Sequence, residues 1–171
     1  MPFCSRCGLA GLVLLVLAFT GCDTNNPGRD IDNVAGQFSL AEITFDPEAN
    51  ALSDVDVDAT LNLNSTRLEI FNDDEEAQLV IAFSDGRTRR VNLRADASRT
   101  QVRLEAVEDE DVDDLALLLL PRSFSLGYTG ERATRLDADL DRSGVDLEAF
   151  DSDRYQGLTD VRGTLIVSFE R

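Results

Sequence analysis

The chain has 171 residues, with 33 Asp plus Glu against 16 Arg, no lysine, no histidine and no tryptophan, for a formal charge of -17. One domain fits this length, and 43% apolar residues is the composition of a folded globular chain despite the charge. So negative a field argues against nucleic-acid partners, and the lack of histidine excludes Ser-His-Asp and Cys-His catalysis and every His-ligated metal site.

At the N-terminus, Arg6 precedes an almost unbroken apolar run from Gly8 to Thr20 that ends at Gly21-Cys22. A basic start followed by about a dozen apolar residues is the plan of a secretory signal. At 1.5 Å per residue the run reaches about 20 Å, short of the ~30 Å hydrocarbon core, which disfavours a permanent transmembrane helix. The closing Phe19-Thr20-Gly21-Cys22 resembles the lipobox of bacterial lipoproteins, with Phe19 where leucine is usual. That resemblance implies cleavage before Cys22 and a diacylglycerol on its sulfur, often with a further acyl chain such as palmitate on the new amine; the alternative is an ordinary cleaved secretory signal. Two or three acyl chains hold a protein firmly, whereas one binds marginally. The implied location is the cell envelope, with the outer membrane or cell surface ahead of the inner membrane. Asp23, next to the lipidated cysteine, resembles an inner-membrane retention signal of some enteric bacteria. Cys4 and Cys7 form a C-x-x-C inside the discarded segment, so the mature chain keeps Cys22 alone and has no internal disulfide.

The expected organisation is therefore a signal over 1–21, a lipidated cysteine and flexible polar tether over 22–33, and a β-domain over 34–171. From Val34 onward the dominant period is two, that of half-buried strands. Phe38 and Leu40 are in phase and Ile43 and Phe45 are not, which predicts a bulge near Ala41-Glu42. Val55, Val57, Ala59, Leu61 and Leu63 alternate with polar residues across 54–64 and predict a strand. Leu79, Ile81 and Phe83 alternate, Asp85-Gly86 supplies the dipeptide of a two-residue type I′ turn, and Val91, Leu93 and Ala95 resume the pattern, which predicts a hairpin. Further strands are expected at Val102 to Ala106, Phe124 to Tyr128 and Gly163 to Phe169. The acidic run Glu108 to Asp114 reads as a solvated loop. Asp113 to Leu120 reads as one or two helical turns or a buried strand, and Asp151 to Leu158 as a short irregular or helical excursion.

About nine or ten strands joined by short polar links make a single antiparallel all-β domain, either an up-and-down barrel or a two-sheet sandwich. Gly36-Gln37-Phe38 at the start of the first strand resembles the Gly-x-Trp that opens lipocalin barrels, without its tryptophan.

Three places are candidates for chemistry. Asp139, Asp141 and Ser143, followed by Gly144, match the first half of an EF-hand-like calcium loop, but Asp146 and Phe150 break its second half. The simpler reading is a hairpin turn over Asp141 to Gly144. Asp54, Asp56 and Asp58 would lie about 7 Å apart on a strand face, too far for one ion, and read as a solvated row. Tyr128 and Tyr155 read as half-buried tyrosines or pocket residues. The serines and threonines have no histidine or lysine to serve as base, no phosphate loop occurs, and no cofactor is expected. Carboxylate-using hydrolysis has no pair of acids that stands out.

The expected role is non-catalytic: a lipid-anchored module for a small or apolar ligand, a reading that a cavity lined by Val57, Leu61, Ile81, Phe83, Leu104 and Leu126 would support and a filled interior would count against. The alternative is a structural or interaction protein of the envelope. The expected partners are the membrane, through the lipid, and a small molecule or an envelope protein.

Overall fold

In the computed structural model, residues 27–49, 52–72 and 75–171 are described. The expected signal over 1–21, the lipobox-like segment and Cys22 lie outside the described residues. No helix among the described residues is long and apolar enough to cross a membrane.

Where the tether was expected to continue, Pro27–Val34 forms a helix, α1. Proline suits a first helical turn, where its missing N–H would have no partner. Ile31 and Val34, three residues apart, share one face and are both buried. Burial of that pair gives the segment a reason to fold that its polar composition hides. The Asn33 carbonyl accepts a bond from the Ala133 N–H at 2.8 Å, which fastens α1 to the body.

Nine strands follow: β1 (Gly36–Pro47), β2 (Val55–Asp56), β3 (Arg67–Ile70), β4 (Glu76–Ala82), β5 (Thr88–Ala97), β6 (Gln101–Ala106), β7 (Ser123–Gly127), β8 (Arg135–Val145) and β9 (Val161–Glu170). Their order is β2-β1-β3-β4-β5-β6-β7-β8-β9, and β1 also pairs with β9. Eight strands thus close into an antiparallel up-and-down barrel of lipocalin-like architecture, with β2 as an extra strand. The sandwich alternative falls, because one continuous sheet curls onto itself through the β1–β9 pairing.

Closure rests on the β1–β9 ladder, from Ser39 opposite Glu170 to Pro47 opposite Gly163. Its register shifts between Leu40 and Glu42, the bulge that the broken phase of β1 predicts. At the α1 end, the guanidinium of the C-terminal Arg171 lies 4.6 Å from the Phe38 ring centroid and bonds the Ala35 carbonyl. Gly36 has φ +134°, and a Cβ there would meet Arg171 Nη2 at 2.9 Å. The interior is filled by the inward phase of every strand, including Phe38, Ile43, Phe45, Leu68, Leu79, Leu93, Leu104, Leu126, Leu165 and Phe169.

Several local expectations change. The predicted strand over 54–64 contributes only β2, followed by a 3-10 turn at Val57–Thr60. Val57 and Leu61 are still buried, Val57 at the start of the 3-10 turn and Leu61 in an extended bridge to Phe83 just after it. The β4–β5 turn is a three-residue loop, with Phe83 N–H bonding Arg87 O at 2.9 Å and only Gly86 at positive φ. A type I′ turn needs positive φ at both central residues.

The acidic run is no loop. It opens helix α2 (Asp109–Ala116), where Asp111 Oδ2 accepts the Glu108 N–H at 3.1 Å in a capping box. Three carboxylates in its first turn sit where the helix dipole favours them. Asp141 to Gly144 is not a hairpin turn but the last part of β8, with a register shift between Arg142 and Val145. Asp151 to Leu158 is irregular, and the short helix, α3 (Leu147–Phe150), lies just before it, capped by Asp146.

Candidate binding groove at the barrel mouth

Strand direction alternates around the barrel, so the β4–β5 turn, α2, the end of β8 and α3 all gather at the mouth opposite α1. Between them lies a cavity of about 470 Å³, within the ~300–1,000 Å³ of small-molecule sites. Phe83 comes from the β4–β5 turn, Leu117 and Leu119 from the chain leaving α2, Val145 from the end of β8, and Phe150 from α3. Leu117 is one of the few large apolar side chains left exposed on the described surface.

The lining is positioned by a strained turn. Leu119 takes a left-handed conformation, φ 57°, at the end of α2, a place where glycine is usual. Holding a leucine there costs on the order of 1–3 kcal/mol. The turn is fixed from both sides: Leu120 N–H bonds Leu115 O at 3.2 Å, and Leu119 O accepts Arg142 Nε at 2.9 Å.

Arg142 is the unusual member of the site. On β8, Leu136, Ala138, Leu140 and Arg142 share the inward phase, while Asp137, Asp139 and Asp141 are exposed on the other. A cation therefore stands where the strand pattern calls for an apolar side chain. It is half-buried, and burial pulls its guanidinium below the ordinary arginine range. No ion pair among the described residues includes it. Arg87, the other cation of the lining, is paired with Asp85 at 2.6 Å and lies over the Phe83 ring.

The barrel wall is thinnest beside this residue. β7 and β8 pair only at Gly127 opposite Asp137, whereas β8 and β9 pair from Arg135 to Val145. Ala138 and Leu140 are consequently only half-buried on the inward phase, and the Arg142–Leu119 bond ties β8 to the segment that leads into β7.

A second cavity, about 580 Å³, shares Thr60, Ala149 and Phe150 with the first. Asp56, Glu148, Asp151, Arg154 and Tyr155 line it, which makes it polar and acidic. Nearby, Asp58 is pushed above its ordinary value by burial first, and then by Asp56 and Glu42.

The residues singled out in the sequence are scattered. Asp139, Asp141 and Ser143 are exposed along β8 and do not converge. Among the described residues no three His, Cys, Asp or Glu side chains come together as metal ligands. Asp54 and Asp56 are exposed and Asp58 lies in the 3-10 turn. Tyr128 is buried and donates its hydroxyl to the Ser98 carbonyl. Tyr155 is buried beside the acidic cavity, and its hydroxyl has no partner among the described residues. Of the six residues expected to line a central cavity, Val57, Leu61, Ile81, Leu104 and Leu126 are packed in the core, and Phe83 alone reaches the groove. Among the described residues the expected central cavity is therefore absent, because packed side chains fill the interior, and the candidate groove lies at the mouth instead. Arg142, Leu117 and Leu119 were missed; the available signal was a charge in phase with Leu136 and Leu140.

Compared with known protein families, with curated proteins and with solved structures, the chain matches none.

Proposed function

We propose that this protein is a lipid-anchored, non-catalytic protein of the cell envelope whose barrel takes a small, largely apolar ligand in the groove at its mouth. One observation carries the binding half of this reading. A cavity of about 470 Å³ is walled by Phe83, Leu117, Leu119, Val145 and Phe150, held open by a strained turn and bordered by a cation. Apolar walls with few convergent polar groups are the chemistry of a small-molecule site. The anchoring half is supported by the lipobox-like Phe19-Thr20-Gly21-Cys22.

Native mass spectrometry of the protein extracted from bacterial membranes tests both halves. The expected species lacks residues 1–21, carries diacylglycerol on Cys22 and retains a non-covalent small molecule. Cys22→Ser is expected to move the protein from the membrane to the soluble fraction. A chain that still begins at Met1 with no added hydrocarbon would remove the anchor, and a chain stripped of any ligand under gentle extraction would count against the groove.

A further inference from the structure

Resting on the reading of the mouth groove as a ligand site, we infer that its ligand is an amphipathic carboxylate, with an acyl chain along the apolar walls and its carboxylate on Arg142. Phe83, Leu117, Leu119, Val145 and Phe150 offer a chain apolar contact without polar groups. Arg142 lies in the same lining. Its Nε is committed to Leu119 O, which fixes the guanidinium plane, and its terminal nitrogens make no hydrogen bond or ion pair among the described residues.

A partly buried cation without a counter-ion is costly. Two parallel N–H bonds to a carboxylate relieve that cost best, because the planar guanidinium matches the two oxygens. Arg87 is the weaker claimant for the headgroup, since it is largely exposed and its Nε already bonds Asp85 Oδ2. Asp146, the carboxylate of the lining, is turned to the Ala149 N–H at 2.9 Å as the α3 cap. The formal charge of -17 does not forbid an anion here. Charges more than about 8 Å away are screened at physiological ionic strength, so the contacting guanidinium decides.

Equilibrium dialysis of decanoate and decanol, equal in chain length, against the full chain in nanodiscs tests the assignment, with empty nanodiscs as the blank. Decanoate is expected to bind at least about tenfold tighter than decanol, as a hydrogen bond to a buried charge implies. Arg142→Gln is expected to bring the two ligands to parity, and Arg142→Lys, which keeps the charge without the fork, to retain part of the preference. Arg103→Gln, on the outward phase of β6, is expected to retain all of it. If decanol binds as tightly as decanoate, or Arg142→Gln preserves the preference, the carboxylate assignment is overturned while the groove stands. If neither ligand binds saturably above the blank, the groove reading itself fails.

Discussion

Gly163 marks the tightest point of the barrel's closing ladder. A Cβ added there would sit 2.3 Å from the Asp46 carbonyl and 2.7 Å from the Phe45 ring. Backbone is in the way, and the ladder to β1 prevents it from retreating. Gly163→Ala is therefore expected to cost about 1–3 kcal/mol or more in urea titrations; a change below ~0.5 kcal/mol would show that the seam yields. Asp58 offers a test of opposite sign. Its pKa is raised from 3.8 by burial and then by Asp56 and Glu42, so the native state favours the neutral acid. The charged form is thus a burden at neutral pH, which lifts as pH falls through the raised pKa and is gone below 3.8. Asp58→Asn is expected to raise Tm slightly at pH 7, with the gain closing toward pH 3.8. A gain of equal size at both pH values would point to packing instead of charge.

Helix α2 depends on one buried carboxylate. Asp111 is 6% exposed; its Oδ1 accepts the Asn92 N–H at 2.9 Å from β5, and its Oδ2 accepts the Glu108 N–H. Asp111→Ala strands two donors and is expected to cost about 2 kcal/mol in denaturant titrations, within the range for lost caps and unmet buried groups. Because α2 carries Leu117 and Leu119, ligand affinity should fall with it; unchanged affinity would place the site elsewhere. This helix also shows what the sequence could not convey. Its acids read as a loop because local composition does not reveal that Asn92, nineteen residues earlier, supplies a donor. Strands β5, β6 and β7 were legible because alternation and burial agree along them, and β4 and β9 because their apolar phase is continuous, although Val80, Ala82 and Ser168 are buried on the other phase. Four-residue β3 is too short to show a period, and β8 was misread because Arg142 and Gly144 break its pattern just where the groove is built. The barrel fold was thus half-visible, and the candidate groove was hidden in the residues that violate the strand rule.

Across the molecule, the acids lie mainly on outward positions of the closed barrel, and 22 of the 33 are aspartates. Six ion pairs among the described residues, all with exposed partners or long contacts, offset little of that repulsion. Raising NaCl from dilute to molar is expected to raise Tm by screening; a flat response would mean that the repulsion is already relieved locally. The zero-lysine surface keeps every cation an arginine, and one of them was placed indoors. Hydrogen exchange of the full chain with and without decanoate asks most directly whether that place is a ligand site. Slowed exchange confined to 83–87, 116–120 and 142–150 is the predicted result. Slowing centred on the packed strands around Leu104 and Leu126, or no slowing at the mouth, would contradict it.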